Sequence, residues 1–292
     1  MNTRNSLPWK LLCSLLLLAF LSSDALAQLK GDTYAEAKQK GSAQLIYTYV
    51  ETPGFSGKDA SGNMTGFCVG LMNAFGAWVK KHEGIELKTS YYGKDASDFK
   101  RFMATVQGAQ GGVFGLGNIT ITEERKKSYQ FSPPFITNVA ILVTHKNVPT
   151  LEDKKQIATA FAGMQAVVVR GTTNEDRVNG LKKQLFPALT YQYVGSSPEA
   201  LKMVADNPKL FANLDFTYYL SAIKDGLPIK RHPAGDESTE SFGLIMPKSN
   251  DWSPLMERFM NEFVNSTEYR KLITDNLGPN ALKLLDSVSA RK

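Results

Sequence analysis

The apolar positions of the chain switch repeatedly between two spacings. Residues 44–50 (QLIYTYV) are dense in β-branched and aromatic side chains and predict a strand. Residues 66–83 then set Val69, Met72, Phe75, Trp78 and Val79 three or four apart, one face of a helix. A second strand (85–92, IELKTSYY), a second helix (98–106, DFKRFMATV) and a glycine-rich third strand (111–119, GGVFGLGNI) follow. Strand–helix–strand–helix–strand implies parallel pairing through right-handed crossovers.

The pattern then recurs. Residues 139–146 predict a strand, and TLEDKKQIATAF begins with Thr150 and Asp153 at capping-box spacing. Residues 164–171 (MQAVVVRG) are continuously apolar, as a buried parallel strand should be. A helix near 174–186 and a strand at 189–194 come next. Ser197-Pro198 marks the following helix start, with a cap and a first-turn proline. Strands are expected at 210–215, 228–233 and 240–247. Ser253-Pro254 opens a helix whose Met256, Phe259, Met260, Phe263 and Val264 form one stripe. No Gly, Pro or Ser-rich linker separates the two α/β units. The extended segments 139–146 and 240–247 are expected to carry the chain across and back, giving one lobe of 28–143 plus 244–292 and a second of 144–243. Ligands of open α/β sheets bind at the carboxyl ends of the strands, so the cleft between the lobes is the expected site.

Composition narrows the function. The net charge of +6 comes from scattered Lys and Arg, not from a block, so no nucleic-acid partner is expected. The three histidines are far apart and lack metal spacing, and no standard catalytic or phosphate-binding motif appears, so neither metal nor cofactor is expected. Arg4 and Lys10 precede the apolar run Leu11–Leu21, too short for a bilayer helix, and ALA at 25–27 offers a cleavage site. Residues 1–27 are therefore read as a signal peptide and the mature protein as periplasmic. Cys13 leaves with that segment, so Cys68 has no intramolecular disulfide partner and reads as a small buried residue.

One stretch fits a core poorly. GNITITEERKKSYQFSPPF (117–135) sets Gly117, Asn118, Thr120 and Thr122 before an acidic helix start and Arg125. Thr120 with Glu123 makes a possible capping box, while Thr122 is an alternative cap. Either way, helix-start amides and hydroxyls stand beside a guanidinium, a combination suited to one carboxylate.

This stretch resembles the lobe-one signature of the amino-acid-type solute-binding proteins of bacterial ABC importers. GNMTGFCVGLMNAF (62–75) is similar to the family's glycine-aromatic entry to its first helix, VVVRGTTNED (167–176) to its lobe-two Gly-Thr-Thr turn, and FANLDFTYYL (211–220) to the segment carrying its lobe-two acid. ESFGLIMPKSNDWSPLMERFMNEF resembles the return strand and helix. The pattern, including a cysteine after the glycine-aromatic pair as at Cys68, also resembles the ligand-binding core of ionotropic glutamate receptors. Two places depart from the family: Gly70 stands where an acid is usual, and NPKLFANLD replaces the usual Gly-x-Asp approach to the acid.

The resemblance implies a type II two-lobed α/β fold, each lobe a mostly parallel sheet flanked by helices, joined by two hinge crossings. It implies that Arg125 grips a ligand α-carboxylate with Thr120 and the main chain of Gly117 and Asn118. Thr172 and Thr173 would close on the same group from lobe two, and Asp215 would accept the α-ammonium. Tyr49 and Phe55 are candidate aromatic walls, with core or cleft rim as the other reading, and Tyr219 is expected in the core. The implied protein is a non-enzymatic monomer that captures a small zwitterion and presents it to an ABC permease. Signalling to a membrane receptor is the alternative, and dehydratase or lytic-enzyme kinship a weaker one.

Overall fold

The computed structural model describes residues 28–264 and 266–282. The signal segment expected at 1–27 lies outside the described residues.

Helix α1 (Tyr34–Lys40) starts from a complete capping box of Thr33 and Glu36. Strand β1 (Ser42–Tyr49) follows, then a short hairpin of β2 (Gly57–Lys58) and β3 (Met64–Thr65), and helix α2 (Phe67–Glu83). Strand β4 (Glu86–Tyr92), helix α3 (Phe99–Gly108) and strand β5 (Val113–Leu116) complete two crossovers. Both β4 and β5 pair parallel with β1. The apolar face of α2 buries Leu71, Met72, Phe75 and Val79, each contributing about 1.5–3 kcal/mol of hydrophobic stabilisation. Gly70 has a packing explanation: a Cβ there would collide with the side chain of Leu272 on α10, described below.

After β5 come α4 (Glu123–Ser128) and β6 (Tyr129–Phe131), then the long strand β7 (Ile136–His145). A 3-10 turn at Lys154–Gln156 leads into α5 (Ile157–Ala160), and β8 (Gln165–Val169), α6 (Thr173–Gln184), β9 (Tyr191–Val194), α7 (Ser197–Asp206) and β10 (Leu210–Asp215) follow. Helix α8 (Phe216–Lys224) and strands β11 (Ile229–Arg231), β12 (Glu237–Phe242) and β13 (Ile245–Pro247) precede the last helices, α9 (Ser253–Phe263) and α10 (Thr267–Leu277).

The strands form two sheets built on one plan. The first runs β4-β1-β5-β13-β6 and the second β11-β7-β10-β8-β9, with β12 also on β7. Each has a parallel trio (β4-β1-β5 and β9-β8-β10) flanked by one antiparallel strand, β13 or β7. Those two strands are the ones by which the chain enters each sheet from the other.

The crossings differ from expectation. All of β7 belongs to the second sheet, so the boundary expected at 143/144 falls inside a strand, and the chain changes sheet between 131 and 136. The return lies within 240–247, which is two strands in different sheets rather than one. Gly243 makes that switch, where a Cβ would press on Ile121 and the carbonyl of Ser132. Caps also shift: Asp153, not Thr150, caps the 3-10 turn, and Ser196, not Ser197, caps α7. The position before α9 is Trp252, which makes no side-chain cap.

Candidate functional site

The carboxyl ends of β5, β8 and β10 converge on one cleft between the two sheets, lined by Asn118, Thr120, Arg125, Thr172, Thr173 and Asp215, six of the residues the sequence singled out. Val50, Phe99, Asn174, Ser196, Ser197 and Tyr218 complete the lining. The cleft is closed: its cavity of about 30 Å³ has room for water but not for an amino acid.

On the first-sheet wall, α4 starts two residues later than a Thr120 cap would place it. Thr122 is the cap, its hydroxyl accepting from the Arg125 amide. Thr120 is thereby left free of capping, buried in an isolated bridge to Phe242. The Arg125 guanidinium donates to the Thr120 carbonyl (2.8 Å) and, across the cleft, to the Gly171 carbonyl (3.0 Å). It lies 5.4 Å from the ring centre of Phe99. Burial pulls its pKa down, and the carboxylates of Glu240 and Asp215 oppose that.

On the second-sheet wall, Thr172 caps α6 through the Glu175 amide, which places Thr173 in the first turn. Asp215 ends β10 and is buried. Its carboxylate accepts from Asn138 (2.7 Å), Asn174 (3.3 Å) and, across the cleft, the amide of Asn118. Burial pushes the carboxyl up to about 6; the Asn138 hydrogen bond holds it down, and Glu240 raises it further. Thr52 donates to the Asn118 oxygen (2.9 Å) and receives the Tyr218 hydroxyl (3.4 Å), fixing the amide's orientation.

Three expected site residues stand elsewhere. Phe55 is a core residue, fully buried among Phe67, Phe135 and Phe242. Tyr49 is also buried, its ring against Gly93, outside the cleft lining. Gly117 has φ of 152° and no room for a Cβ beside Val50, so it shapes the turn, and its carbonyl takes the Cys68 thiol at 3.6 Å. Burial pushes that thiol up to about 12, so Cys68 is protonated and structural. Asn118 takes part through its side chain, where a main-chain role was expected. Tyr219 packs half-buried against the core, and its neighbour Tyr218 faces the cleft.

Sequence reasoning missed Asn138, Asn174, Arg177 and Glu240. Arg177, one turn into α6, pairs with Glu240 (2.6 Å) and Glu237 (3.2 Å) and donates to the Asn174 oxygen (2.9 Å). Asn138 carried a signal, a carboxamide inside the apolar run of β7. Asn174 and Arg177 follow the Gly-Thr-Thr turn at helical spacing. Glu240 carried none, since the run ESTES around it reads in sequence as an ordinary polar stretch. Among the described residues no cluster of His, Cys, Asp or Glu could hold a metal ion, and no helix is long and apolar enough to cross a membrane.

Comparisons with known proteins agree with this architecture. A probable histidine-binding protein of Neisseria gonorrhoeae is 24% identical over 287 residues, covering 93% of this chain and 95% of its own. An ancestral arginine-binding protein bound to arginine has the same fold, with a TM-score of 0.65 at 21% identity over 82% of this chain and 99% of its own. So has an ancestral amino acid-binding protein that is a precursor of cyclohexadienyl dehydratase, at 0.62 and 20% over 83% and 98%. The sequence model of the bacterial extracellular solute-binding proteins, family 3, matches residues 45–279. On that match, which spans both sheets and the cleft between them, the chain belongs to the bacterial extracellular solute-binding proteins, family 3.

Proposed function

We propose that the cleft captures an amino acid or similar small zwitterion, and that closure presents the loaded protein to an ABC-type permease on the outer side of the membrane. The observation that carries this reading is the facing of a cation and an anion from different sheets, Arg125 and Asp215, on one closed cleft. A zwitterion buries two opposite charges, and each needs a hydrogen-bonded counter-charge to offset desolvation. Arg125 has five donors and commits two of them to carbonyls, leaving a fork for a carboxylate. Thr120 and Thr173 flank it, and the first amides of the twelve-residue helix α6 add donors of the right sign. Asp215 is satisfied by neutral amides, which steady its carboxylate without cancelling the charge an ammonium needs.

Relatives named for histidine and arginine binding support the ligand class, and their differing names leave the particular amino acid to experiment. A second reading, dehydratase chemistry, has one observation in its favour: Asp215 is an acid raised to about 6 in a cleft. Three amide donors on that carboxylate favour its ionised form over a proton-donating one, so binding is the better reading. A thermal-shift screen of the twenty amino acids tests the proposal, because a ligand stabilises according to its concentration over its Kd. Stabilisation by at least one amino acid is expected. No response to any of them, with turnover of a cyclohexadienyl acid instead, would replace capture by catalysis.

A further inference from the structure

Glu240 stands on the return crossing, at the point where β12 lies beside β7. Its Oε2 collects four donors from both walls: the Thr120 hydroxyl (3.2 Å), the Thr173 hydroxyl (3.3 Å), the Asn138 amide (3.3 Å) and the Arg177 guanidinium (2.6 Å). The two hydroxyls are themselves 3.4 Å apart, one from each side of the cleft. Each threonine has a single hydroxyl proton, so a hydroxyl that donates to Glu240 cannot donate to anything else. The carboxylate therefore consumes the donors that the capture reading assigns to the ligand. We infer that Glu240 is a built-in occupant of the carboxylate subsite, a side chain that holds Thr120 and Thr173 together and shuts the cleft until a ligand carboxylate displaces it. This inference rests on the capture reading for the identity of the displacing group, though not for the latch itself.

The distances indicate how displacement proceeds. The Arg177 bond is short and charge-assisted, while the three contacts to hydroxyls and amide are long for hydrogen bonds of their kind. A ligand carboxylate that also engages Arg125 has the stronger claim on the two hydroxyls. Glu240 then keeps Arg177 and gives up the threonines, and its charge stays paired throughout. A carboxylate without an ammonium gains nothing at Asp215, so the latch also raises the threshold against simple organic acids.

The test uses the full protein and two variants, Glu240→Ala and the volume-keeping Glu240→Gln. Removing the side chain leaves a carboxylate-sized hole lined by donors, which formate fits. Millimolar sodium formate is expected to raise the melting temperature of Glu240→Ala relative to sodium chloride of equal ionic strength and to leave the wild type unmoved. Small-angle scattering without added amino acid is expected to give a larger radius of gyration for both variants than for wild type. Calorimetry with L-arginine, L-histidine and L-glutamine is expected to show affinity higher by on the order of tenfold in the variants, since the closed, self-occupied state no longer competes. Variants as compact as wild type, with no formate response, overturn the latch. A fall in amino-acid affinity on removing Glu240 also overturns it, because the side chain would then be a ligand contact. Should Glu240→Ala fail to fold, scattering and calorimetry on Glu240→Gln decide. Silence of all three amino acids counts against the capture reading, and the formate and scattering results still judge Glu240.

Discussion

Arg125 and Asp215 occupy the two walls of one cleft on different terms. Arg125 is partly exposed on a short helix after β5, its guanidinium held by two backbone carbonyls, one of them on the opposite wall. Asp215 is buried at the end of β10, its carboxylate held by three asparagine amides. Neither charge is neutralised by a direct ion pair; Arg177 and Glu240 pair with each other instead. The cleft therefore keeps a free pole of each sign while its other charges cancel. The two poles differ in titration as well, since the guanidinium is charged at any physiological pH and the raised carboxyl of Asp215 is not.

The largest effect should come from the cation. Arg125→Ala is expected to cost about 3 kcal/mol of amino-acid affinity in calorimetry, because it leaves a buried ligand carboxylate unpaired. Arg125→Lys should recover only part of that, having lost the bidentate fork. Unchanged affinity in Arg125→Ala would remove this residue from the site and with it the contrast between the walls.

The next effect separates the poles by pH. Asp215 must be ionised to accept an ammonium, so affinity should fall by roughly tenfold, about 1.4 kcal/mol, as pH drops one unit below its pKa of about 6. Stability without added amino acid should move the opposite way. A carboxyl raised on folding binds its proton more tightly in the native state, so its contribution is present at low pH and is lost as pH rises from 3.8 through about 6. Both trends should vanish in Asp215→Asn relative to wild type. A pH-independent affinity in the wild type would mean that the ammonium is received elsewhere.

A smaller effect tests the hydroxyls. Thr173→Ala should weaken binding by about 1 kcal/mol, the worth of one hydrogen bond, with the helix cap on Thr172 intact. A loss as large as that of Arg125→Ala would show that Thr173 shapes α6 rather than touching the ligand.

Much of the candidate site could be picked out in the sequence, Arg125 and its neighbouring hydroxyls by local signals and Thr172, Thr173 and Asp215 by the family resemblance. Thr122 and Thr172 cap helices one residue before their first turns, and the sequence pattern around each carries Arg125 and Thr173 to the cleft. Asp215 closes β10, where Asn213 already interrupts the apolar run, so it was the family resemblance of FANLDFTYYL rather than the local pattern that singled it out. Phe55 was misplaced for the complementary reason: an aromatic residue in a loop looks the same in sequence whether it faces a cleft or three other phenylalanines.

The sequence by itself determined the order of strands and helices, the parallel trios, and which short turns present hydroxyls and charges at strand ends. Hydrophobic periodicity and capping act over a few residues, so they can be read along the chain. Only the tertiary structure decided that β7 lies wholly in the second sheet, that Asn138 meets Asp215 across 77 residues, and that Glu240 joins the threonines of both walls. The first two follow from which distant strands pair within the second sheet and the third from how the two sheets close on one another, and a pairing between distant polar residues leaves no local trace in either partner.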